Sequence, residues 1–382
     1  MSKLSTRNSR SAVGTPKERW VVKIGSSLIT NHGTGLHRER LQTWCADIRA
    51  LRALDIDVIL VSSGAIAEGC ARLGFSERPS QSHLQQAAAA VGQAGLVQAY
   101  QSLFSQHDIH CALVLLTHSE LEDRERYLNA RSTMHTLLSL GVVPIVNEND
   151  TIATDEIRFG DNDTLGALVT NLVEANTFVI LTDQDALYTA DPAQDPSAKP
   201  LREVDVDDPS LLRMAGTTSS SGLGSGGMYT KVIAAQLAAR SGATTYLVSG
   251  LEVNVLQRLQ KAEAIGTQFN PKQAVLSARK RWLAGQLKPK GQIILDRGAQ
   301  DKVTHGGKSL LPVGAISVTG AFRRGDVVEC VSADGDRIAV GLTHYGIEDV
   351  RLLLGRSSDE ISSVLGYVSE PELIHRDNMI VF

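Results

Sequence analysis

Along the first two thirds of the chain, short apolar runs alternate with longer stretches whose apolar positions recur at helical spacing. The runs are Val21-Val22-Lys23-Ile24, Val58-Ile59-Leu60-Val61, Leu113-Val114-Leu115-Leu116, Val142-Val143-Pro144-Ile145-Val146, Val179-Ile180-Leu181 and Tyr246-Leu247-Val248. Continuous apolar strands separated by helices form parallel sheets buried on both faces. Residues 20 to about 250 are therefore predicted to form an α/β domain, a three-layer αβα sandwich with a mainly parallel central sheet. Around Asn270 the texture changes. Pro271, the basic cluster Arg279-Lys280-Arg281 and Lys288-Pro289-Lys290-Gly291 mark a linker. Beyond it, runs at 292–295, 315–318, 326–330 and 338–341 are short, alternating and broken by glycines, which predicts a small β-barrel-like or sandwich domain. The expected boundaries are a flexible tail over 1–18, the α/β domain over 19–268, the linker over 269–288 and the β domain over 289–382.

Size supports the division, because one core usually stops growing at roughly 250–300 residues and this chain has 382. No apolar run approaches the roughly 20 residues of a membrane helix, so a soluble, cytoplasmic protein is expected. With a net charge of −4 there is no global positive field for nucleic acid or an anionic membrane, and any anion must be bound locally. Cys45, Cys70, Cys111 and Cys330 form no CxxC pair and read as reduced thiols in the core. The Ser/Arg/Thr-rich tail lacks the apolar stretch of a secretory signal; its composition also suits a short organellar transit segment, without a clear amphipathic helix.

In open parallel sheets ligands bind beyond the carboxyl ends of the strands. The residues there are Gly25-Ser26-Ser27, Ser62-Ser63-Gly64, Asn147-Glu148-Asn149-Asp150 and Thr182-Asp183. Lys23 lies inside an apolar strand, where an ammonium group needs an anion, a buried carboxylate, or an escape to solvent. The glycine-rich segment 222–227, followed by Met228-Tyr229-Thr230-Lys231 and an apolar helix, suits phosphate, although Met228 stands where a Walker loop has lysine. A mobile Ser/Gly loop is the other reading. Asp161-Asn162-Asp163 precedes another apolar helix; a cap uses one such side chain, leaving two that could bind an ammonium group, orient lysines or help hold a phosphate-bound metal. No HExxH pair and no GxSxG elbow occurs. Transfer to a carboxylate suits that absence, since the acceptor is already ionised at neutral pH and needs no base.

Together, residues 22–27, 62–65, Asp123 to Arg131, Asn147 to Asp150, Gly160 to Asp163 and Gly226 to Lys231 resemble the γ-glutamyl kinase branch of the amino acid kinase family. Gly306-Gly307-Lys308-Ser309-Leu310-Leu311-Pro312 and Val318-Thr319-Gly320 resemble a PUA domain. The resemblance implies ATP-dependent phosphorylation of the γ-carboxylate of L-glutamate, giving γ-glutamyl phosphate and ADP, with Mg²⁺, as the first step of proline synthesis. By motif, Lys23 and Lys231 would flank the moving phosphoryl group and Asp163 would orient both. Ser63, Asp150 and Asn162 would bind glutamate, with Asn147 and Asp161 shaping the pocket. Lys23, Thr182, Asp183 and the segment Ser225, Gly226, Gly227, Met228, Tyr229, Thr230 and Lys231 would hold the nucleotide. The family's habits imply a homo-oligomer, dimer or tetramer, inhibited by proline. Ser26 and Ser62 replace a frequent threonine, and His118-Ser119 replaces a more usual polar pair, which bears on affinity and not on reaction class.

Three rival readings remain at this point. One is the same chemistry on N-acetylglutamate, aspartate or a nucleoside monophosphate. A second is RNA binding through the C-terminal domain, which 14 Lys/Arg against 13 Asp/Glu from Arg279 onward disfavour. The third is a catalytically dead amino-acid sensor, which the retained lysines disfavour.

Overall fold

The computed structural model describes residues 17–30, 35–152, 162–216, 227–272 and 289–382. Most of the expected tail and linker lies outside these, as do Asp161, Ser225 and Gly226.

The six apolar runs become β1 (Arg19–Ile24), β2 (Asp57–Ser62), β3 (Cys111–Leu116), β4 (Val143–Glu148), β5 (Thr177–Thr182) and β9 (Thr244–Ser249). Between β5 and β9 come a two-strand ribbon, β6 (Leu187–Tyr188) with β7 (Pro200–Leu201), and β8 (Glu203–Asp205); β10 (Thr267–Asn270) follows β9. The main sheet has the order β3-β4-β2-β1-β5-β9-β10-β8. From β3 to β9 all neighbours are parallel. β10 returns antiparallel to β9 and straddles the expected domain edge at 268. Its sequence, Thr-Gln-Phe-Asn, lacks the apolar run that marks the others, as expected near a sheet edge.

Strand alternation separates two cores. Trp20, Val22, Ile24 and Leu60 pack with Leu41, Trp44 and Ile48 of helix Arg38–Ala53 and with Leu96 and Tyr100 of helix Ser82–Phe104. Val21, Ile59, Val61 and Ile180 pack on the opposite face against Leu165, Val169 and Leu172 of helix Asn162–Leu172 and Ala234 and Ala238 of helix Met228–Ala238. This is the three-layer αβα arrangement. Among the described residues no helix is long and apolar enough to cross a membrane.

The C-terminal part has its own sheet of β11 (Gly291–Leu295), β12 (Ala315–Gly320), β13 (Val327–Ser332), β14 (Arg337–Leu342) and β15 (Met379–Val381), in the order β12-β11-β13-β14-β15. Its core holds Ile293, Leu295, Phe322, Val328, Cys330 and Tyr345. Cys45, Cys70 and Cys330 are buried and Cys111 partly so, all as free thiols. Burial pushes each thiol up, which leaves little thiolate.

The Asp123 to Arg131 stretch serves the contact between the domains. Asp123 caps helix Arg124–Ser139, and Leu128 with Tyr127 packs on Val327, Val340, Leu342 and Ile380 of the C-terminal sheet. Hydrogen bonds from Ser132 to Glu370 and from Arg324 to Asn129 flank this contact.

Candidate active site

The pleat of β1 decides what Lys23 can reach. It shares a face with Val21, so it points toward helix Asn162–Leu172. Gly166 lets that helix come close, since a Cβ there would lie 2.8 Å from the Phe178 ring and 3.5 Å from the Lys23 Cβ. The approach brings Asp163, in the first turn, against the lysine. Lys23 Nζ lies 2.5 Å from Asp163 Oδ1, and Lys231 Nζ donates to Asp163 Oδ2 at 3.1 Å. The Thr230 hydroxyl adds a bond to Oδ2 at 3.2 Å.

The three charges are withdrawn from water. Lys23 and Lys231 are each 5% exposed and Asp163 is fully buried. Burial pushes the Asp163 carboxyl up, but the Lys23 and Lys231 ammonium groups outweigh it and hold the carboxyl at about 2. One carboxylate between two ammonium groups leaves a surplus positive charge, so the triad is matched to an incoming anion. Both oxygens of Asp163 are thus engaged by the ammonium groups of Lys23 and Lys231.

Asn162, next to Asp163 in the chain, lines a cavity of about 490 Å³ together with Ser63, Asn147 and Asp150. Asn162 Nδ2 donates to Ser63 Oγ at 2.8 Å, to Asn147 Oδ1 at 3.0 Å and to the Ser62 carbonyl at 3.1 Å. These bonds turn its Oδ1 away, and that atom is buried with no partner among the described residues, an acceptor awaiting a donor. Gly64 turns the chain here at a φ of 98°, where a Cβ would meet Ile29 at 2.9 Å. Burial, followed by the nearby Glu148 carboxylate, raises Asp150 to about 7, with Arg78 opposing. Ser26 also lines the cavity, while the Ser62 hydroxyl turns away to Tyr100 at 3.0 Å.

A second cavity, of about 1020 Å³, is lined by Thr182, Asp183, Gly227, Met228 and Lys231. Helix Met228–Ala238 begins there after Gly227 with no side-chain cap, so its first backbone N–H groups and its positive dipole end suit an anion. Tyr229 lines neither cavity, and Thr230 reaches the site through Asp163. Sequence reasoning missed Glu148 and Arg78 at the first cavity and Tyr188 and Arg213 at the second. Glu148 sat within a stretch already singled out at the end of β4, whereas the other three follow no apolar strand and carried no signal.

A buried dilysine–carboxylate triad thus sits at the carboxyl ends of a parallel sheet, with its neighbour Asn162 lining one cavity and its member Lys231 lining another. The family model "Amino acid kinase family" matches residues 18–249 and that of the PUA domain matches 291–365. The chain belongs to the amino acid kinase family and carries a C-terminal PUA domain. It is 57% identical over 372 residues to a glutamate 5-kinase of Burkholderia lata, covering 97% of this chain and 100% of that one. Glutamate 5-kinases of Cupriavidus pinatubonensis and Ralstonia pickettii are also 57% identical, over 95% of this chain and 98% and 97% of theirs.

Proposed function

We propose that this chain transfers the γ-phosphoryl group of ATP to the γ-carboxylate of L-glutamate, giving γ-glutamyl phosphate and ADP, the first step of proline synthesis. The observation that carries the reading is the Lys23–Asp163–Lys231 triad, whose neighbour Asn162 lines one cavity while Lys231 lines the other. Glutamate occupies the smaller cavity, with its ammonium group on Asp150 and the open Asn162 Oδ1, beside Ser63 and Asn147. The nucleotide occupies the larger one, against Thr182, Asp183 and the Gly227–Lys231 turn. By resemblance alone, Asp161 belongs to the first site and Ser225, Gly226 and Tyr229 to the second.

In the transfer a γ-carboxylate oxygen forms the new P–O bond while the bond from phosphorus to the bridging ADP oxygen breaks. No proton moves, because the acceptor is ionised, and no base is called for. Catalysis then rests on position and charge, with Lys23 and Lys231 meeting the equatorial oxygens of the migrating group. Asp163 holds both ammonium groups in place, so little reorganisation accompanies the step. Mg²⁺ prefers hard oxygen donors, and the residues present fit it: the Asp183 carboxylate at the larger cavity would help to hold the ion. Such an ion would supply positive charge to offset that of the nucleotide phosphates. A cytoplasmic homo-oligomer inhibited by proline completes the proposal and is supported by sequence resemblance.

The test is a panel of acceptors with hydroxylamine trapping of the acyl phosphate. L-Glutamate is expected to exceed aspartate, one methylene shorter, by about 10- to 200-fold in kcat/KM, and N-acetylglutamate, whose ammonium group is lost, by at least about 100-fold. Equal or better turnover of N-acetylglutamate would contradict the proposal.

A further inference from the structure

The smaller cavity has the wrong charge for the whole of its substrate. Three carboxylates line it, Glu77, Glu148 and Asp150, and a bound glutamate brings a second carboxylate, on Cα, that the triad does not need. In an acidic hollow that group is repelled unless a cation meets it. Among the described residues one cationic side chain lines the cavity, Arg78. Although it sits in an exposed loop, its guanidinium is held: Arg78 Nη2 donates to Gln85 Oε1 at 3.0 Å. Gln85 is itself 8% exposed and donates to the Pro79 carbonyl at 2.7 Å, which ties the loop to the helix Ser82–Phe104. Arg78 and Asp150 line the same cavity, so a cation and the group that receives the ammonium face one bound substrate. Charge, tether and location agree.

We infer that Arg78 is the specificity-determining cation for the α-carboxylate of the substrate, so that the cavity recognises an α-amino acid with two groups of opposite sign, Asp150 for the ammonium and Arg78 for the carboxylate. The inference rests on the glutamate reading above. A guanidinium presents two parallel N–H donors to a carboxylate and makes a planar, bidentate pair that lysine does not reproduce. Arg78 binds and discriminates; the phosphoryl chemistry lies with the triad.

The test compares full-length wild type with Arg78→Met and Arg78→Lys, using L-glutamate as substrate and 4-aminobutyrate, which is glutamate without its α-carboxylate, as competitor. Arg78→Met is expected to raise KM for glutamate about 30- to 100-fold, the scale of a charge-assisted pair, with kcat within about threefold. The inhibition constant of 4-aminobutyrate should stay within about threefold, and Arg78→Lys should recover only part of the glutamate affinity. An unchanged KM for glutamate, or an equal loss for both ligands, would overturn the inference. A wild-type enzyme that fails to phosphorylate glutamate would instead overturn the reading it rests on.

Discussion

Replacing Asp163 with asparagine keeps the side-chain volume and removes the one negative charge between two buried ammonium groups. Holding the carboxyl at about 2, against 3.8 in the unfolded chain, is worth roughly 2 kcal/mol at neutral pH. Removing one partner of a buried ion pair costs about 3–5 kcal/mol, because the other charges stay buried and uncompensated. The asparagine oxygen still accepts a hydrogen bond, so a loss of about 3 kcal/mol is expected, a drop in Tm of roughly 6–12 °C for a domain of this size. A depressed carboxyl contributes stability that is present above its unfolded value and is lost as pH falls through about 2. The stability gap between wild type and Asp163→Asn should therefore be full at pH 7 and narrow by roughly 2 kcal/mol between about pH 5 and 2. Turnover should fall at least about 100-fold as the lysines repel one another out of register. Calorimetry across pH and steady-state kinetics test this together. A Tm within about 2 °C of wild type, with turnover within threefold at pH 7, would refute the role of the triad.

Three further outcomes follow from the geometry. Asp150 must be ionised to hold an ammonium group, and with its carboxyl near 7 the kcat/KM for glutamate should decline about tenfold per unit as pH falls below 7; Asp150→Asn should flatten this limb, and a flat wild-type profile would exclude the role. Gly166→Ala places a Cβ 2.8 Å from the Phe178 ring and should cost about 1–3 kcal/mol in denaturant unfolding while also lowering turnover, since the helix carrying Asp163 must shift; unaltered stability would mean the ring yields. Leu128→Ala empties a site against Val327, Val340, Leu342 and Ile380, and should separate the thermal transitions of the two domains; one unchanged transition would show that the contact does not couple them.

What the sequence made legible was whatever broke a local rule. Lys23 was visible as an ammonium group inside an apolar strand, and Asp161-Asn162-Asp163 as more polar side chains than a helix start uses. Spacing alone could not show that Asp163 joins two lysines; that follows from the pleat of β1 and from Gly166 admitting the helix. The parallel strands were legible from their apolar runs. β8 and β10 were not, because Glu-Val-Asp and Thr-Gln-Phe-Asn gain strand character from the partners they pair with. The Asp123 to Arg131 stretch was legible as a motif, but its packing against the C-terminal sheet depends on a surface distant in sequence. Arg78 sits in a loop where arginine is ordinary, and only the cavity's excess of carboxylates gives it meaning.

The account depends on Lys231 acting on the moving phosphoryl group and not merely filling space beside Asp163. Single-turnover transfer from ATP to glutamate by Lys231→Ala, with glutamate affinity measured separately by calorimetry, tests this most directly. The expected result is a transfer rate lowered at least about 100-fold, with the dissociation constant for glutamate changed less than about threefold. A transfer rate close to that of wild type would contradict the account.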